Sequence, residues 1–181
     1  MRITPLSPVE AIDAAQEWNR LMALHDHLRA LADAPDDVLF ATAEGVSAWS
    51  RAAHLYHLAT SNFGIARLIP RLIQGAIASS ESAVKPDGIA MLLSGTLPSG
   101  LAAPAGVVPP DALVREAVIE RLEKAHDQVR AVEPVLPAAA ASPARFDHPY
   151  LGPLRPSEWP RLMNAHTLHH LAIDARIHSR T

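Results

Sequence analysis

The chain has 181 residues, a length that suits one domain able to bury its own hydrophobic core. Apolar residues make up 49% of it and charged residues 19%, which is typical of a folded protein and excludes a disordered one. The net charge is −3, whereas nucleic-acid-binding proteins usually carry an excess of basic residues, so we expect no nucleic-acid partner. Because the chain has no cysteine, disulfides, iron–sulfur clusters and cysteine nucleophiles are excluded, and any metal must be bound by histidines and carboxylates.

The first residues lack the apolar run of a signal peptide, and no stretch approaches the roughly 18 uninterrupted apolar residues of a membrane helix. We therefore expect a cytoplasmic protein with no membrane segment, folded as one domain over residues 1–181. Histidine occurs 10 times, while aromatic residues make up only 4% of the chain. This imbalance is the first indication that imidazoles carry the chemistry.

The first predicted helix runs from Ser7 to about Ala34. Ser7 and Glu10 have the spacing of a capping box, and Pro8 suits the first helical position because its missing N–H would have no partner there. Apolar residues then recur at helical spacing, at Leu21, Leu24, Leu28 and Leu31.

The second predicted helix begins at Ser47 or Ser50, since either hydroxyl could accept from the free N–H groups of a first turn. It runs through Ile69, and Pro70 then ends or kinks it. The segment is apolar on most sides, so we expect this helix to be deeply buried.

Residues 74–110 are rich in glycine, proline, serine and small apolar residues, without sustained periodicity of either kind. We expect a long irregular connection there. Such loops are commonly lids or binding loops, so we expect this segment to cover the mouth of a site.

Two more helices are predicted, from Asp111 to about Val132 and from Glu158 to about His178, the latter with Ser157 as its N-cap. No alternating strand pattern of useful length occurs. Four long helices predict an all-α fold, a four-helix bundle with long connections.

The last helix carries a histidine pair in its apolar stripe. His166 and His170 lie between Trp159 and Ile177 on one face, and they are four residues apart. At that spacing the Cβ atoms lie ~5–6 Å apart, so both imidazoles can bind one divalent cation. His169 projects to one side and is poorly placed to share that ion with its neighbour His170.

A third ligand has to come from another helix, and the second predicted helix offers His54 and His57. The apolar stripe through Leu58 and Leu72 places His54 nearer its centre and His57 on its flank. Periodicity alone does not choose between the two.

An ordinary interpretation competes with the metal site, because a histidine on an apolar face is usually a hydrogen-bonded core or boundary residue. Burying two imidazoles on one stripe costs desolvation unless partners are supplied, which favours a shared metal for the pair. Trp49 is interpreted as core packing. The sequence pattern places the following on solvated helix faces: His25, His27, His126 and His178.

These motifs resemble the DinB/YfiT-like superfamily of four-helix metalloenzymes. The resemblance rests on the Trp-Ser pair at 49–50, with a histidine eight residues after the tryptophan, and on His-Thr-Leu-His-His at 166–170. The segment 148–154 followed by Trp159 is similar to one branch of that superfamily. The likeness covers the second helix and the final third of the chain, and hardly the middle.

The resemblance implies that three histidines bind a divalent metal, at the matching positions His57, His166 and His170. It therefore favours His57 over His54. Three neutral imidazoles leave coordination positions open, as in catalytic centres. Zinc is the expected ion, with nickel, iron or manganese as alternatives.

The predicted function is a metal-dependent enzyme that activates water or a low-molecular-weight thiol for transfer or hydrolysis of a small-molecule substrate. Several relatives resemble transferases or isomerases that use such thiols. Since the chain has no thiol, one would arrive as a cosubstrate. The alternative is a non-catalytic bundle that binds a metal or small ligand.

Further candidates are weaker. Asp147 or His148, in a rigid loop before the ligand helix, could act as general base or orient a ligand, although a turn motif explains them equally well. His54 and His169 could line the pocket or hydrogen-bond to the ligands.

An apolar patch opposite the histidine stripe suggests association. Leu168 and Leu171 lie on the side of the last helix where a monomer normally places polar groups, so we expect a homodimer contact there. Asp174 is interpreted as a surface or ion-pair residue.

Overall fold

The structure, a computed structural model, describes residues 5–98 and 100–179. It is mostly helical, which confirms the predicted all-α character in outline. The four long helices are α1 (Ala14–Leu31), α3 (Arg51–Ile73), α5 (Arg115–Arg130) and α7 (Trp159–His178). The short helices are α2 (Asp36–Leu39), α4 (Pro86–Ser94) and α6 (Leu136–Ala141), and the strands are β1 (Phe146–His148) and β2 (Gly152–Leu154). Two 3₁₀ turns cover Ala105–Val107 and Glu133–Val135.

Each long helix packs against two others. Helix α1 contacts α5 and α7, and α3 also contacts α5 and α7. The core between them has two apolar clusters, one around Trp18, Ile69 and Met163 and one around Leu55 and Leu122. Helix α3 contributes to both clusters, so its predicted deep burial is confirmed.

Helix α1 begins at Ala14 rather than at Ser7, so the predicted capping box was wrong. The Asp13 carboxylate accepts from the N–H groups of Ala15 and Gln16, each at 3.0 Å, and caps the helix there. Ser7 makes a tertiary contact instead, since Arg161 Nη2 donates to its carbonyl oxygen at 2.7 Å.

Helix α3 is capped by Ser50, whose Oγ accepts from the Ala53 N–H at 3.3 Å. Pro70 lies inside this helix, which continues to Ile73, so the proline does not end it. A proline removes one backbone hydrogen bond, while its neighbours Ile69 and Leu72 are buried in the core.

The segment 74–110 is not wholly irregular. It contains α4, which buries Leu92 in the core and ends at Gly95 in the left-handed conformation, at φ 71°. Gly88 lies directly against the backbone of Leu151, where a Cβ atom would clash. Nine residues are too short for the helical periodicity to stand out.

A small antiparallel hairpin leads into α7, and strands were not expected. Strands β1 and β2 pair with His148 opposite Gly152, whose φ of 79° favours glycine at the start of β2. Strands of three residues carry no recognisable alternation. Helix α7 matches its prediction within one residue, but Glu158 rather than Ser157 occupies the N-cap position.

A buried polar cluster fixes α7 against α1. Arg161, 1% exposed, donates from Nη1 to Glu17 Oε1 at 2.7 Å. Asn164 Nδ2 donates to Glu17 Oε2 at 2.6 Å. We call these three residues the arginine cluster. It connects α7 to α1 just before the part of α7 that carries His166 and His170.

Three expectations about exposure have clear outcomes. Leu171 is 2% exposed and lies in the monomer core with Leu168 packed beside it, so the surface that motivated a homodimer contact was wrongly assigned. His25 is 1% exposed, so its assignment to a solvated face was wrong. Asp174 forms an ion pair with Arg51 at 2.9 Å, as one of its two interpretations predicted.

Among the described residues, no helix is both long and apolar enough to cross a membrane.

Candidate metal centre

Three imidazoles from two helices converge at one point. His57 Nε2 lies 3.1 Å from His166 Nε2, and His170 Nε2 lies 3.1 Å from the same atom. One ligand atom from each of the three rings lies within 4.8 Å of the others. The structure therefore brings together the residues that the sequence analysis assigned as metal ligands.

The backbone fixes the orientation of the His57 ring. His57 Nδ1 lies 2.8 Å from the Val107 carbonyl oxygen. Because a carbonyl only accepts, His57 Nδ1 carries the proton and the Nε2 of the neutral ring carries a lone pair. Val107 belongs to the 3₁₀ turn of the segment 74–110, so that segment contacts the candidate centre, and its role as a cover stays a prediction.

His54 faces the other side of the His170 ring. Its Nδ1 lies 2.9 Å from His170 Nδ1, and its Nε2 lies 3.1 Å from Ser47 Oγ. His169 packs edge-on against His170, with ring centroids 5.4 Å apart. Both candidates therefore border the ligand rings, and neither belongs to the group of three.

Trp49 forms an aromatic wall beside the cluster. Its ring centroid lies 5.0 Å from that of His57 and 6.3 Å from that of His170, to which it is nearly parallel. Its assignment to core packing missed this contact. The available signal was its position just before the cap of α3, five residues ahead of His54 and eight ahead of His57.

Burial keeps the histidines uncharged. Desolvation, with a smaller effect of the neighbouring histidines, lowers the pKa of His166 to about 3. Burial also lowers the pKa of His57, although the Val107 carbonyl opposes this, and it lowers the pKa of His170 most strongly. Neutral imidazoles offer lone pairs at pH 7, which metal binding requires.

A family model described as the DinB superfamily matches residues 14–173. The chain belongs to the DinB superfamily. The match extends from the first residue of α1 through most of α7, and so includes all three converging histidines. No curated protein and no solved structure matches the chain.

The candidate site of this DinB-superfamily chain consists of three imidazoles. In residues 5–98 and 100–179 no carboxylate joins the group. Burial lowers the pKa of His54 to about 4, and the nearby Asp174 carboxylate opposes this only in part. Arg51 binds both oxygens of that carboxylate, with Nε donating to Oδ1 and Nη2 to Oδ2 at 2.9 Å each. A cation bound by the three rings would keep its full charge.

The two general-base candidates lie in the hairpin with different surroundings. Asp147 is exposed, and its Oδ2 accepts from Ser80 Oγ at 2.8 Å. His148 Nδ1 accepts from the N–H groups of Tyr150 and Leu151, so its lone pair is used within the turn. Burial, with a smaller effect of Lys85, lowers the pKa of His148 to about 4. A general-base role stays a prediction for both residues.

The donor set of this DinB-superfamily site fits a divalent ion. At a zinc–nitrogen distance of about 2.1 Å, tetrahedral angles place two ligand nitrogens about 3.4 Å apart. The two contacts at His166 Nε2 are close to that spacing. Hydrogen bonds explain the arrangement less well, because His57 offers only a lone pair and His166 Nε2 carries at most one proton for two contacts.

Proposed function

We propose that this member of the DinB superfamily is a divalent-metal-dependent enzyme with a four-helix arrangement. His57, His166 and His170 would hold the ion, and the enzyme would use water or a low-molecular-weight thiol in transfer to, or hydrolysis of, a small molecule. The family membership and the convergence of the three rings support the proposal.

The observation that carries the proposal is the Val107 carbonyl behind His57. It assigns the proton of that ring to Nδ1, so the lone pair of Nε2 is directed at the other two imidazoles. A backbone acceptor behind a ligand imidazole is the usual way in which proteins orient metal-binding histidines.

A divalent ion with three protein ligands would accept one more ligand and lower the pKa of a bound water or thiol toward neutrality. Zinc is the expected ion, and nickel, iron and manganese also suit imidazole. Because the chain lacks cysteine, a thiol would have to be a cosubstrate.

The surrounding residues would favour an anionic ligand and limit access of water. With no carboxylate in the group, an anionic atom would meet an uncompensated positive charge. The Trp49 ring covers one side of the His57 and His170 rings and reduces hydration there.

The alternative is a metal- or ligand-binding protein without turnover, which would show the same three-histidine cluster.

A homodimer remains a prediction, although Leu168 and Leu171, the surface that suggested it, lie in the core of the monomer. Cytoplasmic location and the lack of a nucleic-acid partner also remain predictions.

The test uses protein without a histidine tag, loaded with zinc, nickel, iron or manganese, dialysed and assayed for bound metal by mass spectrometry. We expect about one ion per chain, and none in a variant with His57, His166 and His170 replaced by alanine. His126→Ala, on α5, controls for loss of a histidine.

A screen of thiol-transfer, esterase and amidase substrates with and without metal then separates the enzyme from the binding protein. Activity that survives complete metal removal would contradict the proposal.

A further inference from the structure

A chain of polar contacts continues from the metal centre into the loop before α3. The His170 ring contacts His54 through the two Nδ1 atoms at 2.9 Å, and His54 Nε2 contacts Ser47 Oγ at 3.1 Å. The Trp49 N–H donates to the same Ser47 oxygen at 3.0 Å. His54 is 4% exposed, so its ring has little contact with water.

The protons in this chain have one consistent direction when His170 is a ligand. His170 Nε2 must then carry a lone pair, so its Nδ1 carries the proton and donates to His54 Nδ1. His54 must accept there, so its proton is on Nε2 and is donated to Ser47 Oγ. Every nitrogen of the two rings has a defined role in this arrangement.

We propose that His54 is a positioning residue that accepts a hydrogen bond from His170, and that Ser47 holds His54 in the required tautomer. The inference rests on the proposed function, because it needs His170 as a metal ligand. His54 would then do for His170 what the Val107 carbonyl does for His57. Each accepts a hydrogen bond from the Nδ1–H of a ligand ring and so fixes the orientation of that ring.

Two other roles for His54 disagree with this geometry. A fourth ligand would have to approach the ion beside His170 Nε2, but His54 meets the opposite nitrogen of that ring. A general base needs a free lone pair, and the lone pair of His54 faces the Nδ1 proton of His170.

The loop at residues 43–47, where this chain of polar contacts ends, has a well-defined conformation. The N–H of Ser47 donates to the Ala43 carbonyl at 3.2 Å, and the two residues form an isolated antiparallel bridge. Gly45 allows the tight turn between them with a φ of 73°. Ser47 Oγ therefore has a fixed position relative to the start of α3, which a positioning chain requires.

Zinc affinity measured by competition with a chromophoric chelator provides the first test. His54→Leu removes the acceptor at similar volume, and we expect about a 10- to 100-fold loss of affinity. His54→Asn keeps an acceptor oxygen near the position of Nδ1, and we expect most of the affinity to return. His126→Asn, outside the cluster, should bind zinc like the wild type. Each affinity is referred to the folded fraction, measured by circular dichroism.

Histidine ¹⁵N spectra of the zinc-loaded wild type provide the second test and need no variant. We expect the proton on Nδ1 of His170 and on Nε2 of His54. A His54 proton on Nδ1, or a folded His54→Leu variant with wild-type affinity, would overturn this inference alone. A wild-type protein that binds no zinc or other divalent metal would overturn it together with the proposed function.

Discussion

Helix α7 carries two polar clusters, one buried and one partly buried, that differ in how their charges and hydrogen bonds are paired. In the arginine cluster, Arg161 donates to Glu17 and to three carbonyl oxygens, so both charges are paired. One turn later His166 Nε2 meets two further imidazole nitrogens with at most one proton between the contacts. In the first cluster the positive and negative charges pair with each other, whereas the second brings together uncharged rings.

This difference separates a structural cluster from a candidate binding site. Buried polar groups are normally hydrogen-bonded, and those left without partners are costly. The arginine cluster has oppositely charged partners and holds α1, α4 and α7 together. The histidine group offers converging lone pairs, so a cation would stabilise it more than any rearrangement of protons.

The largest effect on stability is expected from the arginine cluster. Arg161→Met leaves the buried Glu17 carboxylate without its partner and should lower the free energy of unfolding by about 3–5 kcal/mol. Chemical denaturation measures this loss. The double variant with Glu17→Met should recover much of it. A loss below about 1 kcal/mol in the single variant would show that the pair is not structural.

The next effect concerns pH and a buried histidine outside both clusters. Burial, and to a lesser extent His126, lowers the pKa of His25 from 6.5 to about 4. The unfolded chain therefore binds the proton first, so this stability is present above about pH 6.5 and is lost as pH falls toward 4. The shift corresponds to at most about 3 kcal/mol.

Denaturation of the metal-free protein at pH 7 and pH 4.5 measures that dependence. His25→Met should show a smaller loss of stability on acidification than the wild type. An equal loss in both proteins would mean that the His25 ring is already accessible to protons in the folded state.

The smallest effect on stability is expected from the histidine group itself. Without metal, His166→Leu removes a crowded imidazole whose pKa burial lowers, so the free energy of unfolding should change by less than about 1 kcal/mol or increase. With zinc present, the wild type alone should gain stability. Thermal denaturation with and without zinc gives both values. A large loss in metal-free protein would assign the cluster a structural role.

The sequence predicted the parts of this fold that have long local signals. Helices α3 and α7 follow from sustained apolar periodicity, and Ser50 marks the start of α3. Helix α4 and the hairpin were missed because nine and three residues carry too little periodicity. The start of α1 was misplaced because the competing contact of Ser7 comes from Arg161, which is distant in sequence.

The candidate site was predictable to a similar extent. The spacing of His166 and His170 predicted that they share a face, whereas the choice of His57 came from the family resemblance. The acceptor behind His57 is a backbone atom of Val107, which no side-chain pattern can indicate. Ser47 was considered only as a helix cap, since its contact with His54 depends on the turn before α3.

The most direct test is an anomalous difference map, at the absorption edge of the bound metal, from crystals of untagged metal-loaded protein. The account predicts one peak per chain, about 2.0–2.1 Å from Nε2 of His57, His166 and His170 for zinc. A peak elsewhere, or no peak beside these imidazoles with any of the four metals at saturating concentration, would contradict it.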